Sequence, residues 1–396
     1  MKQELVQKTL GAGLYEYGHH ACPLAQKWEP FLTGGVQAEK LLVAYDNADY
    51  TFASLPLFTE EKALLLKGLG ILREAFSVER VEIYLPESAP EEVKTAWAGE
   101  PGLPVVYGKV DVREVGSKDL LHHPETVANI ARVQAGQEPM LYAQVAQDEQ
   151  EKTLCLPLES TVGKFVKAAG FAIAEGAVVA GGYFGRMLAP GQLNQPLYGL
   201  SNCRIELYPG SFCAVSFAQK ASAHAAAESC GRCTFCREGN YQISRFLKSA
   251  VTGRGAEEDT AWLRSLSEAV GEESVCSFGQ ESVRFLRDAL VSESKSFDAH
   301  IKGKRCDAGV CQAFTDYAVD GSLCVGCDKC RQACRYGAIE DGPGFIHRID
   351  VFDCAKCGEC AAVCPEKAIY RVRVGRLIGP TKATKVGRFR TSRKQY

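Results

Sequence analysis

Along residues 1 to about 137, short apolar runs alternate with stretches whose apolar residues recur at helical spacing. Residues 40–44 (Lys-Leu-Leu-Val-Ala) and 78–85 (Val-Glu-Arg-Val-Glu-Ile-Tyr-Leu) read as strands. Between them, residues 60–76 place Leu64, Leu65, Leu69, Leu72 and Phe76 on one helical face. Strand, amphipathic helix, strand is the repeating unit of an α/β layer domain. Residues 122–133 predict a short helix that closes this domain, and 134–139 a linker.

The pattern then changes. Over roughly 140–218 the segments at 154–157 and 177–180 look like strands, with a helix at 161–169, a turn at Gly181-Gly182 and a strand-like end at 211–217. Short mixed strands around one helix suggest a β-grasp-like module. From Ala221 to His300 the reading is helical. Trp262, Leu263, Leu266, Ala269 and Val270 form one apolar face and Val283, Leu286, Ala289 and Leu290 another, which predicts a small bundle. Residues 321–370 have little apolar content beyond Ile339, Ile346, Ile349 and Ile369, too little to fold unaided. From Arg371 to Tyr396 the chain carries many Lys and Arg and no acid. Such a tail either lies draped or disordered, or serves as a strand for an acidic partner.

Composition adds limits. The chain has 396 residues, 46% apolar and 24% charged, with a formal net charge of −2, so several soluble domains are expected and no global charge favours nucleic acid. No apolar run is long enough to span a membrane, and the N-terminal residues lack the apolar core of a signal peptide. The 18 cysteines are sparse in the first half and clustered at metal-ligand spacing in the second, which points to a reducing, cytoplasmic setting.

Those cysteines carry the chemistry. Cys324-x2-Cys327-x2-Cys330-x3-Cys334 and Cys354-x2-Cys357-x2-Cys360-x3-Cys364-Pro365 form the bacterial two-cluster ferredoxin pattern, in which the fourth cysteine of each run serves the other cube. Cys324, Cys327, Cys330 and Cys364 are thus assigned to one [4Fe–4S] cluster and Cys354, Cys357, Cys360 and Cys334 to a second. Paired zinc knuckles would not require two such runs. Cys334 is followed by Arg335 where proline is usual. A third triplet, Cys230-x2-Cys233-x2-Cys236, precedes the helical bundle, and Cys276 between two helices is its expected fourth ligand, giving a third cluster. Cys306 and Cys311 are left over. Two cysteines do not close a tetrahedral site, so a zinc clip with His300, His347 or both is one reading, and free thiols or part of another cluster the alternative. Cys22, Cys155, Cys203 and Cys213 read as isolated thiols.

The stretch Glu228-Ser-Cys230-Gly-Arg-Cys233-Thr-Phe-Cys236-Arg-Glu-Gly, with Cys276 downstream, resembles the NADH-binding flavoprotein subunit of respiratory complex I and the β subunits of multimeric, electron-bifurcating-type hydrogenases and formate dehydrogenases. Pro124-Glu-Thr-Val-Ala-Asn129 resembles that family's Glu-Thr-x-Ala-Asn segment. The appended Cys-x4-Cys and two-cluster tail resembles the hydrogenase type. The resemblance implies a multidomain α/β plus α fold. Its parts would be a degenerate Rossmann-like FMN/NADH-type domain over 1–137, a β-grasp (SLBB) domain over 138–218 and a helical [4Fe–4S] domain over 219–300. A Cys-x4-Cys connector over 301–320, a ferredoxin domain over 321–372 and a basic tail over 373–396 would follow.

In that family a glycine-rich loop cradles the FMN phosphate. Here the same register keeps Gly13, Leu14, Gly18, Lys27 and Trp28 but has Glu16, His19, His20, Ala21 and Cys22 where close phosphate approach calls for glycines. A second family element, an acidic loop, is shortened to Asn47-Ala-Asp-Tyr-Thr-Phe52. The domain is therefore expected to have lost FMN and NAD. The leading expectation is an electron-relay subunit with three [4Fe–4S] clusters and a zinc clip, without bond-making residues. Its partners would be a flavoprotein or metal-centre catalytic subunit and an acceptor such as ferredoxin. A working NAD(P)H diaphorase with an atypical FMN site, and an iron–sulfur sensor or scaffold, are the alternatives.

Overall fold

The computed structural model describes the chain apart from residues 1, 18–21, 46–48, 109, 111–114, 173–175, 199, 201, 376–378 and 390–396. Gly18, His19, His20, Ala21, Asn47 and Ala48, singled out above, lie outside the described residues. Two compact units emerge, one made of residues 1–210, 220–244 and 264–292 and the other of 211–219, 245–263 and 293–396.

The first unit contains a four-stranded parallel sheet in the order Val105–Tyr107, Arg80–Leu85, Lys40–Val43, Asp119–His122. Its central strand Lys40–Val43 is apolar on both faces because both are covered, and Leu41, Val43, Val81, Ile83 and Leu85 are buried. Helix Lys62–Phe76 crosses from Lys40–Val43 to Arg80–Leu85 and buries Leu65, Leu69, Leu72 and Phe76, the predicted face. It ends on Ser77 in the left-handed region at φ 55°. Helix Pro124–Gln134 is buried along nearly its whole length although it carries Glu125, Thr126, Asn129 and Arg132. Burial is tolerated because each has a partner. Asn129 exchanges bonds with Met140 N and O, Arg132 pairs with Glu61, and Glu125 Oε1 accepts from Tyr142 N at 2.8 Å.

The same unit holds a second, five-stranded sheet in the order Gln150–Pro157, Met140–Gln147, Arg204–Tyr208, Ala177–Ala180, Arg186–Leu188. Met140–Gln147 and Arg204–Tyr208 are parallel and the other neighbours antiparallel, with helix Val162–Ala168 beside them. The strand expected over 211–217 is absent: Ala214 already begins helix Ala214–Glu228. A short apolar run has no period of its own, and continuity with the following helix decides it. On helix Asp259–Glu273 the buried positions include Leu263, Ser267 and Val270, whereas Trp262 is 57% exposed, so the predicted face is rotated.

The second unit contains an internal duplication offset by thirty residues, Cys324 against Cys354. Strand Thr315–Val319 pairs antiparallel with Ile369–Arg373, and Ile339–Glu340 pairs with Arg348–Ile349. The two copies repeat their turns. Asp320 N donates to Ala368 O and Asp350 N to Ala338 O, both at 2.8 Å, and Cys324 N and Cys354 N donate to the Asp320 and Asp350 carbonyls, both at 3.0 Å. Residues 379–389 of the basic tail are draped on this module. Ile346 N donates to Thr384 O, Val386 N to Gly344 O, and Phe389 packs on Gly321.

Helices Lys62–Phe76 and Pro124–Gln134 approach so closely that a Cβ on Gly68 would lie 2.2 Å from Val127 O and 2.7 Å from Val127 Cγ1. Gly68→Ala should cost about 1–3 kcal/mol through backbone displacement. Denaturant unfolding followed by the fluorescence of buried Trp28 and Trp97 measures this, and an unshifted midpoint contradicts the packing.

Candidate functional site

The duplicated module encloses two voids, each lined by four cysteines. One is bounded by Cys324, Cys327, Cys330 and Cys364, with Val319, His347, Ala368 and Ile369 around them. The other is bounded by Cys334, Cys354, Cys357 and Cys360, with Tyr317, Ala338, Ile339 and Ile349. Each void therefore takes three thiols from one copy and the last from the other. Lys356 N donates to Cys354 Sγ and Ala368 N to Cys364 Sγ, at 3.4 and 3.3 Å. Such N–H donors suit thiolate ligands and the sulfurs of an iron–sulfur cube. Cys327 and Cys357 are exposed, and Cys330 and Cys360 buried. The residues fit two [4Fe–4S] groups by donor type, number and enclosure.

The third triplet is in the first unit. Cys233 and Cys276 pack with buried Cys236, Phe184, Ala225 and Phe278, and Cys230 is exposed on the turn before them. Helix Thr234–Val251 starts inside the triplet, so its free N–H groups face the sulfurs. Burial alone would raise the Cys233 thiol; the backbone N–H groups of Cys236, Val275 and Phe235 outweigh it and lower it. That is the environment a thiolate ligand needs. Asn240 Nδ2 reaches Cys236 O at 3.0 Å and is fixed by Ser282 Oγ. Gly279 is required beside it, since a Cβ there would lie 2.5 Å from the Ser274 side chain and 3.2 Å from Cys236 Cβ.

The leftover pair, Cys306 and Cys311, does find more ligands. In the second unit the donor atoms of Cys213, His300, Cys306 and Cys311 lie within 4.8 Å of one another, all four residues buried. His300 Nε2 is 3.4 Å from both Cys213 Sγ and Cys311 Sγ, while its Nδ1–H donates to Ser296 O at 2.7 Å. That carbonyl fixes the ring with Nε2 toward the sulfurs, the usual outer support of a metal-bound histidine. Burial would push the imidazole down; the Cys213 and Cys306 sulfurs outweigh it and raise it to about 10. A buried Cys3His set matches structural zinc. Two sequence expectations change here. Cys213 is no isolated thiol, and His347 is elsewhere, with Nε2 3.0 Å from Asp328 Oδ1 and Nδ1 3.8 Å from Cys324 Sγ. Cys213 carries no local signal, being 87 positions from His300.

The parallel sheet has its own candidate site. Strand order reverses between Lys40–Val43 and Asp119–His122, and ligands of such sheets bind at the carboxyl ends of the strands there. At that point the chain places Glu16, which is 1% exposed. Its Oε1 accepts from His123 N at 2.8 Å and Thr126 Oγ1 at 2.9 Å, at the start of helix Pro124–Gln134. Its Oε2 is 3.1 Å from Lys27 Nζ and bonded to His122 Nδ1. His122 Nε2 accepts from Trp28 Nε1 at 3.1 Å, so Nδ1 carries the proton and the ring is neutral. Burial would raise Glu16, but Lys27 and His122 outweigh it and hold the carboxyl well below its usual range. The place where a helix N-terminus and a lysine could receive a phosphate is taken by the chain's own carboxylate. Asp49 closes on its own loop, accepting from Thr51 N and Phe52 N, and Tyr50 stacks on Tyr183 with ring centroids 4.9 Å apart. What remains of the crevice among the described residues is narrow and lined by Tyr17, Asp49, His123, Glu125, Asn202 and Cys203 among others. These residues do not fit a flavin phosphate.

Two segments of the chain match known iron–sulfur domains. Residues 216–300 match the NADH-ubiquinone oxidoreductase-F iron-sulfur binding region, and residues 317–365 the 4Fe-4S dicluster domain. The NADP-reducing hydrogenase subunit HndC of Solidesulfovibrio fructosivorans is 33% identical over 107 residues, 27% of this chain and 22% of that protein. A NADH-quinone oxidoreductase subunit of Mycobacterium tuberculosis is 28% identical over 102 residues, 26% of this chain and 23% of that protein. The similarity thus spans about a quarter of these relatives. In overall fold the chain is similar to a chain of the air-oxidized NAD+-reducing [NiFe]-hydrogenase crystal structure. The TM-score is 0.64 at 21% identity, over 76% of this chain and 63% of the other. The chain carries two kinds of iron–sulfur electron-transfer domain, and through them is related to hydrogenase and NADH-quinone oxidoreductase subunits.

Two buried carboxyls of the crevice titrate in opposite senses. Glu16 stabilises the fold above its unfolded value and loses that contribution only as pH falls; Glu16→Gln should cost about 3 kcal/mol at neutral pH by leaving Lys27 unpaired. Burial raises Glu125 from 4.5 to about 8, so the stability tied to its protonated form is full below pH 4.5 and is lost as pH rises through 8. Thermal midpoints between pH 4.5 and 9 should fall more steeply for the wild type than for Glu125→Gln. Parallel profiles would contradict the assignment.

Proposed function

We propose that the chain is an iron–sulfur electron-relay subunit of a multisubunit oxidoreductase, with three [4Fe–4S] clusters, one structural zinc and no flavin of its own. The observation that carries the reading is the pair of voids, each lined by four cysteines drawn from both copies of the duplicated module. Cys324, Cys327, Cys330 and Cys364 would hold one cluster, Cys354, Cys357, Cys360 and Cys334 a second, and Cys230, Cys233, Cys236 and Cys276 the third. The clusters supply one-electron transfer when bound. The chain's residues supply thiolates, N–H donors to sulfur, and exclusion of water from Cys236, Cys330 and Cys360, which are buried. Exposed Cys327 and Cys357, flanked by Leu323, Val325 and the 95% exposed Phe352, offer edges at which a partner can exchange electrons.

The residues at the switch point support the loss of FMN and NAD, since Glu16 occupies the anion position and pairs with Lys27. The α/β layer then serves as scaffold, and the five-stranded sheet is read as a β-grasp module. The domain limits given above, a cytoplasmic setting, a catalytic partner with a flavin or metal centre, and a ferredoxin acceptor belong to the same reading.

Metal and flavin analysis of the anaerobically purified full chain tests it. About twelve irons and about one zinc per chain are expected, with no stoichiometric flavin. Cys213→Ser should lose the zinc and keep the iron. Bound FMN that NADH bleaches would replace the relay with a diaphorase, and zinc retained by Cys213→Ser would remove Cys213 from the ligand set.

A further inference from the structure

The net charge of −2 conceals an uneven distribution. Residues 301–396 carry 18 Lys and Arg against 10 Asp and Glu, whereas the whole chain carries 46 against 48. The basic excess thus lies on the segment that holds the duplicated module and its tail. The acids of that segment are largely engaged inside it. Asp316, Asp328, Asp341 and Glu359 are ion-paired, and Asp320 and Asp350 cap their own turns. Among the described residues, Lys329, Lys382, Lys385 and Arg388 pair with no carboxylate, and all four are exposed.

Three of these bases stand on the tail, and the tail is held in place. Ile346 N donates to Thr384 O at 2.9 Å, Val386 N to Gly344 O at 3.1 Å, and Arg348 Nη1 to Thr381 O at 3.4 Å. The strap runs alongside the loop that carries Cys324 and Cys327 and touches it at both ends. A Cβ on Gly321 would lie 2.7 Å from the Phe389 ring, and one on Gly326 2.9 Å from Val386 Cγ2. Leu323, Val325 and Val386 are 48%, 50% and 37% exposed there, next to exposed Cys327. The edge of one cluster void is therefore an apolar centre with Lys382, Lys385 and Arg388 on the strap beside it. An apolar centre with a charged rim is the make-up of a protein docking surface.

The other copy of the module shows that the fold itself does not require this chemistry. Thirty residues on, Leu323, Val325 and Lys329 have Asp353, Ala355 and Glu359 as counterparts. Asp353 is exposed, and Glu359 is taken by Arg335. Gly326 has Lys356 as its counterpart, whose Nζ turns back to Asp316 Oδ1 and Gln312 O, both at 3.0 Å. Apart from Phe352, the Cys354 edge is small or acidic where the Cys324 edge is apolar or basic. Unpaired positive charge at an exposed edge adds self-repulsion to the fold and speeds encounter with a negative partner.

We propose that the Cys324 edge and its basic strap form the docking surface for an acidic protein that carries one electron. The carrier is steered to Lys382, Lys385 and Arg388, and on contact it covers Leu323, Val325 and Val386. One electron then passes from the reduced cluster to the oxidised carrier, with no bond made or broken. The backbone of the tail fixes the strap, and its side chains select the partner. The inference rests on the relay reading above and adds to it the charge of the acceptor and its place of contact.

The test is stopped-flow electron transfer from the iron-loaded full chain, reduced with dithionite and freed of the excess, with iron counted in each sample. The probes are an acidic plastocyanin and a basic cytochrome c, both one-electron acceptors of high potential. With plastocyanin the second-order rate constant should fall about tenfold from low to high salt, and with cytochrome c it should not fall. Lys382→Glu/Lys385→Glu/Arg388→Glu should lower the low-salt plastocyanin rate about tenfold and remove its salt dependence. The corresponding triple Gln variant should do so to a smaller degree, and it decides if the Glu variant takes up less iron. Val325→Ala, which installs the other copy's residue, should slow transfer at every salt concentration. Lys164→Glu/Lys167→Glu, a charge reversal on an exposed helix face of the first unit, should leave the rate as it is. Plastocyanin rates that ignore salt and the strap variants at full iron content overturn the proposal, as does an equal loss in the Lys164/Lys167 variant. Strap variants that abolish binding to duplex DNA or anionic vesicles but leave plastocyanin rates unmoved overturn it too, in favour of a polyanion site. A chain that lacks iron for the module, or holds iron that dithionite does not reduce, overturns the relay reading itself.

Discussion

The duplicated module has almost nothing to fold around except its own cysteines. Its apolar cluster consists of Val319, Cys330, Ile339, Ile346, Cys360, Ala368 and Ile369, with Cys324, Cys334 and Cys364 partly buried against them. Apolar burial on that scale does not offset the chain entropy of ordering such a segment. Metal binding that occurs only in the folded arrangement supplies the difference. The repeated turns at Asp320 and Asp350 matter for the same reason. They fix where each first cysteine emerges, and the antiparallel pairs Thr315–Val319 with Ile369–Arg373 and Ile339–Glu340 with Arg348–Ile349 bring the fourth cysteine of each copy to the other void. The basic tail is drawn in too: Val386 and Phe389 cover glycines of a module short of apolar surface.

The α/β layer shows the opposite situation, a large core with a charged carboxylate buried at the reversal of strand order. A carboxylate at the reversal of strand order would be unfavourable alone, but Glu16 receives a lysine, a neutral imidazole, a hydroxyl and a backbone N–H. The donors that would serve a bound anion are thereby taken up by an internal one. The fold around them does not need to change, because an anion is still present where the helix N-terminus requires it. Three neighbouring residues are engaged in this arrangement: Gly13 takes φ 65°, Lys27 pairs with Glu16, and Trp28 orients His122.

Much of this is legible in residue order, and the exceptions have definite causes. Cysteine spacing is a local property, so the two runs and the triplet stand out without a fold. The helix 62–76 stands out because its apolar residues keep one period over four turns. Residues 211–217 mislead because Phe212, Ala214, Val215 and Phe217 look like a strand, while the structure continues them into a helix. The strand Arg204–Tyr208 is five residues long and half polar, below what alternation distinguishes from a loop. Cys213 is invisible as a ligand in the sequence, since nothing near it there binds metal. Proximity in the chain draws His347 toward Cys306 and Cys311, but it precedes strand Arg348–Ile349, whose pairing with Ile339–Glu340 carries it to Cys324.

That displaced histidine also marks a position at which the two copies of the module differ, His347 standing where the other copy has Tyr317. Two identical halves would hold clusters of nearly equal potential, and an electron would have no preferred end. One charge difference between the copies is offset within the module. Arg335, where the other copy has Pro365, is paired with Glu359, the counterpart of Lys329, so the substitutions at these positions offset one another at the surface. Exposed pairs are also screened by water. His347 is placed differently: it is buried, with Nδ1 3.8 Å from Cys324 Sγ and Nε2 3.0 Å from Asp328 Oδ1, which Arg331 also pairs. Asp328, held in a glycine's left-handed conformation, is what keeps the imidazole in that place.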